Sequence, residues 1–206
     1  MAERTYEVGY LLRSNIGGFV AGSPVTDQET PRFGGLVKAP LGERTIYGLV
    51  YDIAIVDDGL VRQLVTAPQV DPTVIADNRT NRTVPMEISV LAVGYAQEGA
   101  ISQLLPPRAP LSLELIEECS AEEVVEFTGA GFGYLRHLLR DTELPRAELI
   151  AAHVQLAAGA HQESGKAEWG RLASQELIAL LRDDYQSLMD VLGALGNSLP
   201  ELGTQA

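Results

Sequence analysis

The stretch "RTIYGLVYDIAIV", from Arg44 to Val56, is a long run of β-branched and aromatic residues. Such residues favour extended backbone and predict a β-strand. Gly48 lies inside the run, and a glycine within a strand indicates a bulge or a sharp bend of the kind needed where a small sheet curls closed. The stretch therefore predicts one long strand of a small, closed sheet.

Shorter stretches of the same character surround this strand. They are "EVGYLLRS" (7–14), "GGFVAGS" (17–23), "GLVKA" (35–39) and "VPMEISVLAVGYA" (84–96), and "PLSLELIEEC" (110–119) adds a last candidate strand. "PLGE" and "DDG" are turn signals between them. Short strands with frequent turns and no helical pattern between them predict a small antiparallel β-barrel, which we assign to residues 1–112.

The apolar period changes from 2 to 3.6 after Cys119. Ser120 and Glu123 form a capping-box pattern that predicts the start of a short helix. Two further helical patterns follow, the second with Pro145 in its first turn. The last long pattern carries an apolar stripe of Leu172, Leu177, Leu180, Leu181, Leu188 and Leu192. We expect a bundle of three or four helices over 113–206, ending in a frayed tail, and hence a segregated α+β fold: barrel first, helices second.

The formal charge of −13 is unevenly distributed along the chain. Residues 1–110 hold 9 Lys/Arg and 12 Asp/Glu, a net charge of −3, whereas residues 111–206 hold 6 and 16, a net charge of −10. Nucleic-acid binding depends on basic residues that neutralise phosphates, so direct nucleic-acid binding is disfavoured. The acidic helical half is either a solvated surface or a surface for a basic partner.

Features that would place the chain in or beyond a membrane are missing from the sequence. No run of about 18 apolar residues occurs. The N-terminal stretch "MAERTYEVGY" is charged and does not resemble a signal peptide. Cys119 is the only cysteine, which excludes an intrachain disulfide and a cysteine-cluster zinc site. These observations predict a cytoplasmic protein with no membrane contact.

Two glycine-containing stretches approach nucleotide-binding motifs without completing them. In "EFTGAGFGYLRHLLRD" (126–141), Gly129 and Gly131 match a dinucleotide fingerprint, but Tyr134 replaces its third glycine. In "GAHQESGKAE" (159–168), the two glycines are one residue too far apart for a P-loop, and Ala167 replaces the required hydroxyl residue. We interpret the first stretch as a turn between helices and the second as an inter-helix loop.

The remaining reactive residues do not form a recognisable constellation. His137, His153 and His161 are the only histidines; His153 and His161 are eight residues apart, whereas helical metal-binding pairs are typically three or four apart, so we expect these two to be surface or partly packed imidazoles. Cys119 fits a small buried hydrophobe. Paired acids occur at Asp57-Asp58, Glu117-Glu118, Glu122-Glu123 and Asp183-Asp184, and solvated charges are the expectation. For Trp169 and Tyr185, packing in the core is favoured over a role as interface anchors. The sequence thus favours a protein without catalytic, cofactor-binding or metal-binding residues.

"VGYLLRS" (8–14), "FGGLVKA" (33–39) and "TIYGLVYDIAI" (45–55) resemble the HAS-barrel, the small β-barrel shared by HerA-type helicases and ATP synthase subunits. The likeness covers roughly residues 5–100. In that family the barrel is a non-catalytic module that precedes a RecA-like ATPase and helps to order its hexameric ring. This chain departs from the family because it has no P-loop and carries an acidic helical bundle instead of the ATPase. The resemblance implies an accessory or assembly protein that pairs through its barrel with a ring ATPase or with itself.

Two rival functions remain open. The first is a small-molecule or anion-binding protein, or an enzyme, with a site at the barrel–bundle junction; Arg62, Arg79, Arg82 and Arg108 are its candidate anion ligands. The second is binding of single-stranded nucleic acid by the barrel, for which Tyr47 and Tyr51 share a strand face. The acidic balance argues against the second function.

Overall fold

The structure is a computed structural model of the full chain, and it describes residues 6–24, 31–55, 66, 71–74, 85–140 and 144–198. The N-terminal part is a closed antiparallel β-barrel and the C-terminal part is helical, so the expected α+β class is confirmed. The strands are β1 (Glu7–Asn15), β2 (Gly18–Pro24), β3 (Leu36–Leu41), β4 (Arg44–Ile55), β5 (Pro85–Gln97), β6 (Ala100–Ser102) and β7 (Leu115–Glu118).

Six of these strands close the barrel in the order β2-β1-β7-β3-β4-β5, with β5 pairing back onto β2. Within the part of the chain that the structure describes, β6 pairs only with the end of β5. β7 lies beyond residue 112, where the sequence analysis divides the chain, yet it pairs with both β1 and β3. The barrel therefore extends to Glu118, because the strand between β1 and β3 follows the proline-rich stretch "LLPPRAP" (104–110).

Gly48 lies opposite a bulge of β5: Tyr47 pairs with Gly94 and Gly48 with Ala92, so Val93 is the extra residue. The register between β4 and β5 shifts at Tyr47 and Gly48. A Cβ at Gly48 would overlap Cγ1 of Val90 and lie 2.9 Å from the carbonyl oxygen of Leu91. Only glycine allows β5 to approach this closely, so the residue enables the sheet to curl inside a small barrel.

Among the described residues, five helices follow the barrel: α1 (Ala121–Gly129), α2 (Leu135–Arg140), α3 (Arg146–Glu163), α4 (Trp169–Leu181) and α5 (Tyr185–Ser198). The capping box is confirmed, since Ser120 accepts from the Glu123 backbone N–H and the Glu123 side chain accepts from the Ser120 N–H. The last helical pattern divides at residues 182–184 into α4 and α5, which makes one helix more than expected. No helix in the described ranges is long and apolar enough to cross a membrane.

The alternation of side chains along the strands produces two cores. Val37, Ile46 and Val50 point into the barrel with the other members of its interior cluster. Their neighbours Leu36 and Leu49 belong instead to a second cluster that the helices build around α3. The helices therefore cover the outer face of β3, β4 and β5. The first core lies inside the barrel, and the second lies between the barrel and the helices.

The apolar stripe expected in the last helical pattern is only partly buried. Leu177 and Leu181 are buried, but Leu172 and Leu180 are exposed. The buried residues of α4 are Trp169, Gly170, Ala173, Leu177 and Leu181, and those of α5 include Val191 and Leu195. Leu172 and Leu180 are exposed because they lie on a different face of α4 from Trp169, Ala173, Leu177 and Leu181, which recur every four residues and face the core.

Candidate functional site

The outer face of β1 remains exposed although it carries large apolar side chains. Tyr10 and Leu12 point outward from β1, and both are exposed. The segment before β7 runs beside them: the Leu113 N–H donates to the carbonyl oxygen of Leu11 at 2.8 Å. Leu111 and Leu113 on this segment are 72% and 77% exposed. We call Tyr10, Leu12, Leu111 and Leu113 the β1 surface.

Leu113 has a backbone conformation that leucine rarely adopts. Its φ is 69°, in the left-handed region that costs an L-residue roughly 1–2 kcal/mol. The side chain gains little packing in return, because it is among the most exposed hydrophobic groups of the described chain. A strained residue that presents an apolar side chain to solvent is a recognised feature of binding sites.

The barrel and the helices meet at a close contact between Gly34 and His153. Nδ1 of His153 donates to the Gly34 carbonyl oxygen at 3.1 Å, and Nε2 accepts from the Tyr134 hydroxyl at 2.9 Å. The side chains of His153 and Tyr134 are both buried. Burial lowers the pKa of His153 to about 4, although the bond to Gly34 opposes the shift. His153 is therefore a neutral structural group at physiological pH, and its predicted position at or near the surface is wrong.

The stretch "GAGFGY" is a turn between α1 and α2 that is held by a side chain from the barrel. Gln103 donates through Nε2 to the carbonyl oxygens of Phe127 and Gly131, at 3.0 and 2.8 Å. Its Oε1 accepts from the Tyr134 N–H at 3.3 Å. A helix, α1, and not a strand precedes the stretch, so it lacks the strand–turn–helix setting of a dinucleotide fingerprint and is a turn, as the sequence predicts.

His161 is also buried, in a cluster at the end of α1. Its Nε2 donates to the Thr128 hydroxyl at 2.8 Å, because that hydroxyl itself donates to the carbonyl oxygen of Val124 at 2.6 Å. Its ring stacks on Trp169 with centroids 4.7 Å apart. Burial, together with the nearby Lys166 charge, lowers the pKa of His161. The expectation of a partly packed or surface imidazole is wrong here as well.

The three histidines do not converge on a common site. His137 shares a hydrogen bond with the carbonyl oxygen of Gln103 at 3.1 Å, whereas His153 and His161 face Gly34 and Thr128 respectively. Within the described ranges no group of three or more His, Cys, Asp or Glu residues is arranged to hold a metal ion.

Two of the expected solvated acids belong instead to a charge cluster around Lys38. Nζ of Lys38 lies 2.5 Å from Glu123 Oε1 and 3.4 Å from Glu117 Oε2. The cluster joins β3, β7 and the capping box of α1. Cys119, next along the chain, is buried, and burial together with the nearby carboxylates raises the pKa of its thiol. The thiol is therefore a poor nucleophile and packs as a small hydrophobe, as the sequence predicts.

The aromatic candidates separate into buried and exposed residues. Trp169 is buried, whereas Tyr185 is 73% exposed, against the expectation of core packing. Tyr47 is buried against Phe127, with ring centroids 4.7 Å apart, so its ring is not free to stack on a base. Tyr51, four residues further along β4, is half-buried. The described barrel thus lacks the pair of open aromatic faces that nucleic-acid binding by Tyr47 and Tyr51 requires.

A cavity of about 710 Å³ lies at the junction between the barrel and α3. We call it the junction cavity; its lining includes Arg32, Phe33, Leu36, Glu118, Cys119, Val124, Leu156 and Glu163. A second cavity, of about 820 Å³, lies between α3 and α5 on the other side of Phe33. Both volumes are in the range of small-molecule sites.

The arginines expected to bind an anion do not define the junction cavity. Arg108 is exposed and is not among its lining residues, and Arg62, Arg79 and Arg82 lie outside the described residues. The described charges that line the cavity are Arg32 and the carboxylates of Glu118 and Glu163. The carboxylates outnumber the guanidinium, so the lining disfavours an anion.

No known family model matches this chain. A search of curated proteins likewise finds no match. The resemblance to HAS-barrels thus depends on the strand motifs, and the surfaces described above carry the functional argument.

The sequence indicates few of these functional features in advance. The β1 surface combines residues about 100 positions apart, and the outward direction of Leu12 is visible only once β1 is placed in the barrel. A local signal exists for Leu111 and Leu113: "PLSLEL" alternates polar and apolar residues, which indicates that its leucines share one face of an extended segment.

Proposed function

We propose that this chain is a non-catalytic interaction protein of the cytoplasm that binds another protein through its β1 surface. The partner in this proposal is the N-terminal barrel of a hexameric ring ATPase. The exposed apolar side chains on β1 and on the neighbouring Leu111–Leu113 segment carry the proposal. Contiguous apolar surface on a folded protein marks a binding site more often than isolated exposed residues do.

The composition of the β1 surface suits a protein interface. Its centre is apolar and contains an aromatic residue, Tyr10, which is a residue type enriched at interfaces. Charged groups lie at its edge: Arg13 on β1 pairs with Glu87 at 2.7 Å. An apolar centre with a charged rim is the usual arrangement of specific protein contacts.

The reactive side chains support an assembly role better than a catalytic one. His153 and His161 bond to neutral groups, and the Cys119 thiol is held in its neutral form by its surroundings. None of them opens into a site with a nucleophile beside a base, which is the arrangement that acyl or phosphoryl transfer requires.

The charge of the helical half favours a basic partner. Residues 111–206 carry a net charge of −10, so two copies would repel each other if their helices met. A partner with a basic surface beside its own apolar contact would be attracted and oriented by this charge.

The test is binding of the full-length chain to a purified HerA-type hexameric ATPase from the same organism, measured by calorimetry. We expect Leu111→Glu and Leu113→Asp to weaken binding at least about tenfold, since each places a charge at the centre of an apolar contact. Leu172→Glu, which changes an exposed leucine on α4, is the matched control and leaves affinity unchanged.

Light scattering of the same proteins separates the possible outcomes. No binding to the ATPase, with a monomeric chain, refutes the proposal. A discrete homo-oligomer that Leu111→Glu dissociates, without ATPase binding, replaces the ATPase by a second copy of this chain. Equal loss of affinity in Leu172→Glu and Leu111→Glu shows that the β1 surface is not the interface.

A further inference from the structure

We infer that the junction cavity binds a positively charged group, a primary ammonium or a guanidinium, carried on a short apolar stem. The inference is independent of the β1 surface. It depends on the shape of the cavity, on its apolar walls and on two carboxylates at its edge.

The walls of the cavity fit an aliphatic stem. Leu36 and Phe33 line it from the barrel side, and Val124 and Leu156 line it from α1 and α3. Small residues of α3, among them Ala152, Gly159 and Ala160, also line it and leave its volume open. An alkyl chain in this space would exchange water for apolar contact.

The carboxylate of Glu118 has no ion-pair partner among the described residues, although the charge of Arg32 acts on it. Its neighbour Glu117 contacts Lys38 at 3.4 Å. Glu118 is half-buried at the end of β7, and in the described part of the chain its side chain forms no hydrogen bond or ion pair. Burial raises its pKa, and the charge of Arg32 opposes that shift. A cation seated in the cavity would compensate the partly desolvated charge.

Glu163 and Arg32 determine which sign of ligand the cavity favours. Glu163, at the end of α3, adds a second negative charge to the lining. Arg32 is exposed at the edge and forms no ion pair with Glu118, so its guanidinium is free to turn toward solvent when another cation enters. An anion would instead face two carboxylates with one arginine as its partner.

Two sources supply this chemistry: a lysine or arginine side chain of a partner protein, and a free alkylamine. Both present a cation on an apolar stem of similar length. The experiment therefore uses one probe of each kind, n-butylammonium and an acetylated leucine–lysine–leucine tripeptide amide, with butyrate as the probe of opposite charge.

Binding is measured by titrating the full-length, isotope-labelled chain and following backbone amide shifts of residues that line the cavity. We expect shifts with butylammonium and the tripeptide and none with butyrate. Glu118→Gln should weaken binding of both cations about tenfold, whereas Glu117→Gln, the adjacent control, should change it by less than about twofold. Arg32→Ala should leave cation binding unchanged or strengthen it, because it removes a competing positive charge.

The outcomes distinguish a site from general attraction to an acidic protein. Equal losses in Glu118→Gln and Glu117→Gln, or shifts with butyrate that Arg32→Ala abolishes, overturn the inference. Tighter binding of the tripeptide than of butylammonium assigns the cavity to a partner chain, and equal affinities assign it to free amines. Thermal melting of each variant verifies that the protein is folded.

Discussion

His153 on α3 donates a hydrogen bond to the carbonyl oxygen of Gly34, and the backbone of Gly34 lies against the same helix with no room for a side chain. The bond is 3.1 Å long, and a Cβ on Gly34 would lie 2.7 Å from the backbone nitrogen of His153 and 2.8 Å from Cβ of Ala152. The two residues bring the loop before β3 into direct contact with the helices. Their chain neighbours Phe33, Gly35 and Ala152 line the junction cavity.

Gly34→Ala should destabilise the protein by about 2–3 kcal/mol in urea unfolding, because alanine is strained at a φ of +79° and its Cβ meets backbone atoms of α3. Gly42→Ala is the matched control: its φ is +64°, but nothing lies within 4 Å of the added Cβ. The control should lose only about 1 kcal/mol. Equal losses would mean that conformational strain, and not the close approach, accounts for the effect at Gly34.

His153 should make the protein less stable as the pH falls from about 6.5 to about 4. Its pKa is about 4 in the folded state, against 6.5 for an ordinary histidine, so the unfolded chain binds the proton more readily in this range. The expected loss is roughly 3 kcal/mol. His137 and His161, whose pKa values are also lowered, act in the same direction.

The measurement is urea unfolding at several pH values for the native chain and for His153→Gln. The variant should be less stable at pH 7 but should lose less stability between pH 6.5 and 4, since it lacks one titrating group. Parallel pH profiles for the two proteins would exclude His153 as the source of the slope.

Gln103→Leu should cost about 2–3 kcal/mol of unfolding free energy. The change removes the hydrogen bonds that Gln103 gives to Phe127 and Gly131 and the one that it accepts from the Tyr134 N–H, all of them part-buried. Gln97→Leu serves as control, because Gln97 accepts only exposed hydrogen bonds from Arg44 and should change stability by less than about 0.5 kcal/mol. A loss at Gln103 as small as that at Gln97 would show that the turn does not depend on this side chain.

Leu113→Gly should raise stability by about 0.5–1 kcal/mol, since glycine adopts a φ of 69° without the strain that leucine bears. The same change should weaken ATPase binding, because it removes the exposed side chain. Glu98→Gly is the matched control: Glu98 has a φ of 52° in the turn before β6, away from the β1 surface. It should raise stability similarly and leave binding intact; weaker binding in both variants would point to an effect unrelated to the Leu113 side chain.

The elements with strong local signals are the ones that sequence analysis places correctly. β4 and β5 are long β-branched runs, and the capping box at Ser120 is a local pattern that needs no tertiary information. The sequence does not predict β6, because its only signal is a two-residue turn, Glu98-Gly99, followed by a strand of three residues. The sequence does not predict the break between α4 and α5 either, because residues 182–184 are compatible with a continuous helix.

The candidate sites are much harder to predict from the sequence than the fold is. Gln103 bonds to residues 24 and 28 positions further on, and no local pattern distinguishes it from a surface glutamine. The burial of His153 depends on the close approach of Gly34, 119 residues earlier in the chain. Such contacts follow from the way the barrel docks onto α3, which residue spacing does not encode.

The position of β7 has a consequence for the synthesis of this protein. Leu115 pairs with Tyr10, so the ribosome adds about 100 residues before β1 meets its second neighbour. Until then the nascent chain presents unpaired edges on β1 and β3, which favour pairing with other chains and slow the final closure. Because α1 begins only three residues after β7 ends, we expect barrel closure and helix docking to take place together. We therefore expect that the barrel does not fold as an independent domain without the helices. A chain that ends before Leu115 should aggregate instead of folding.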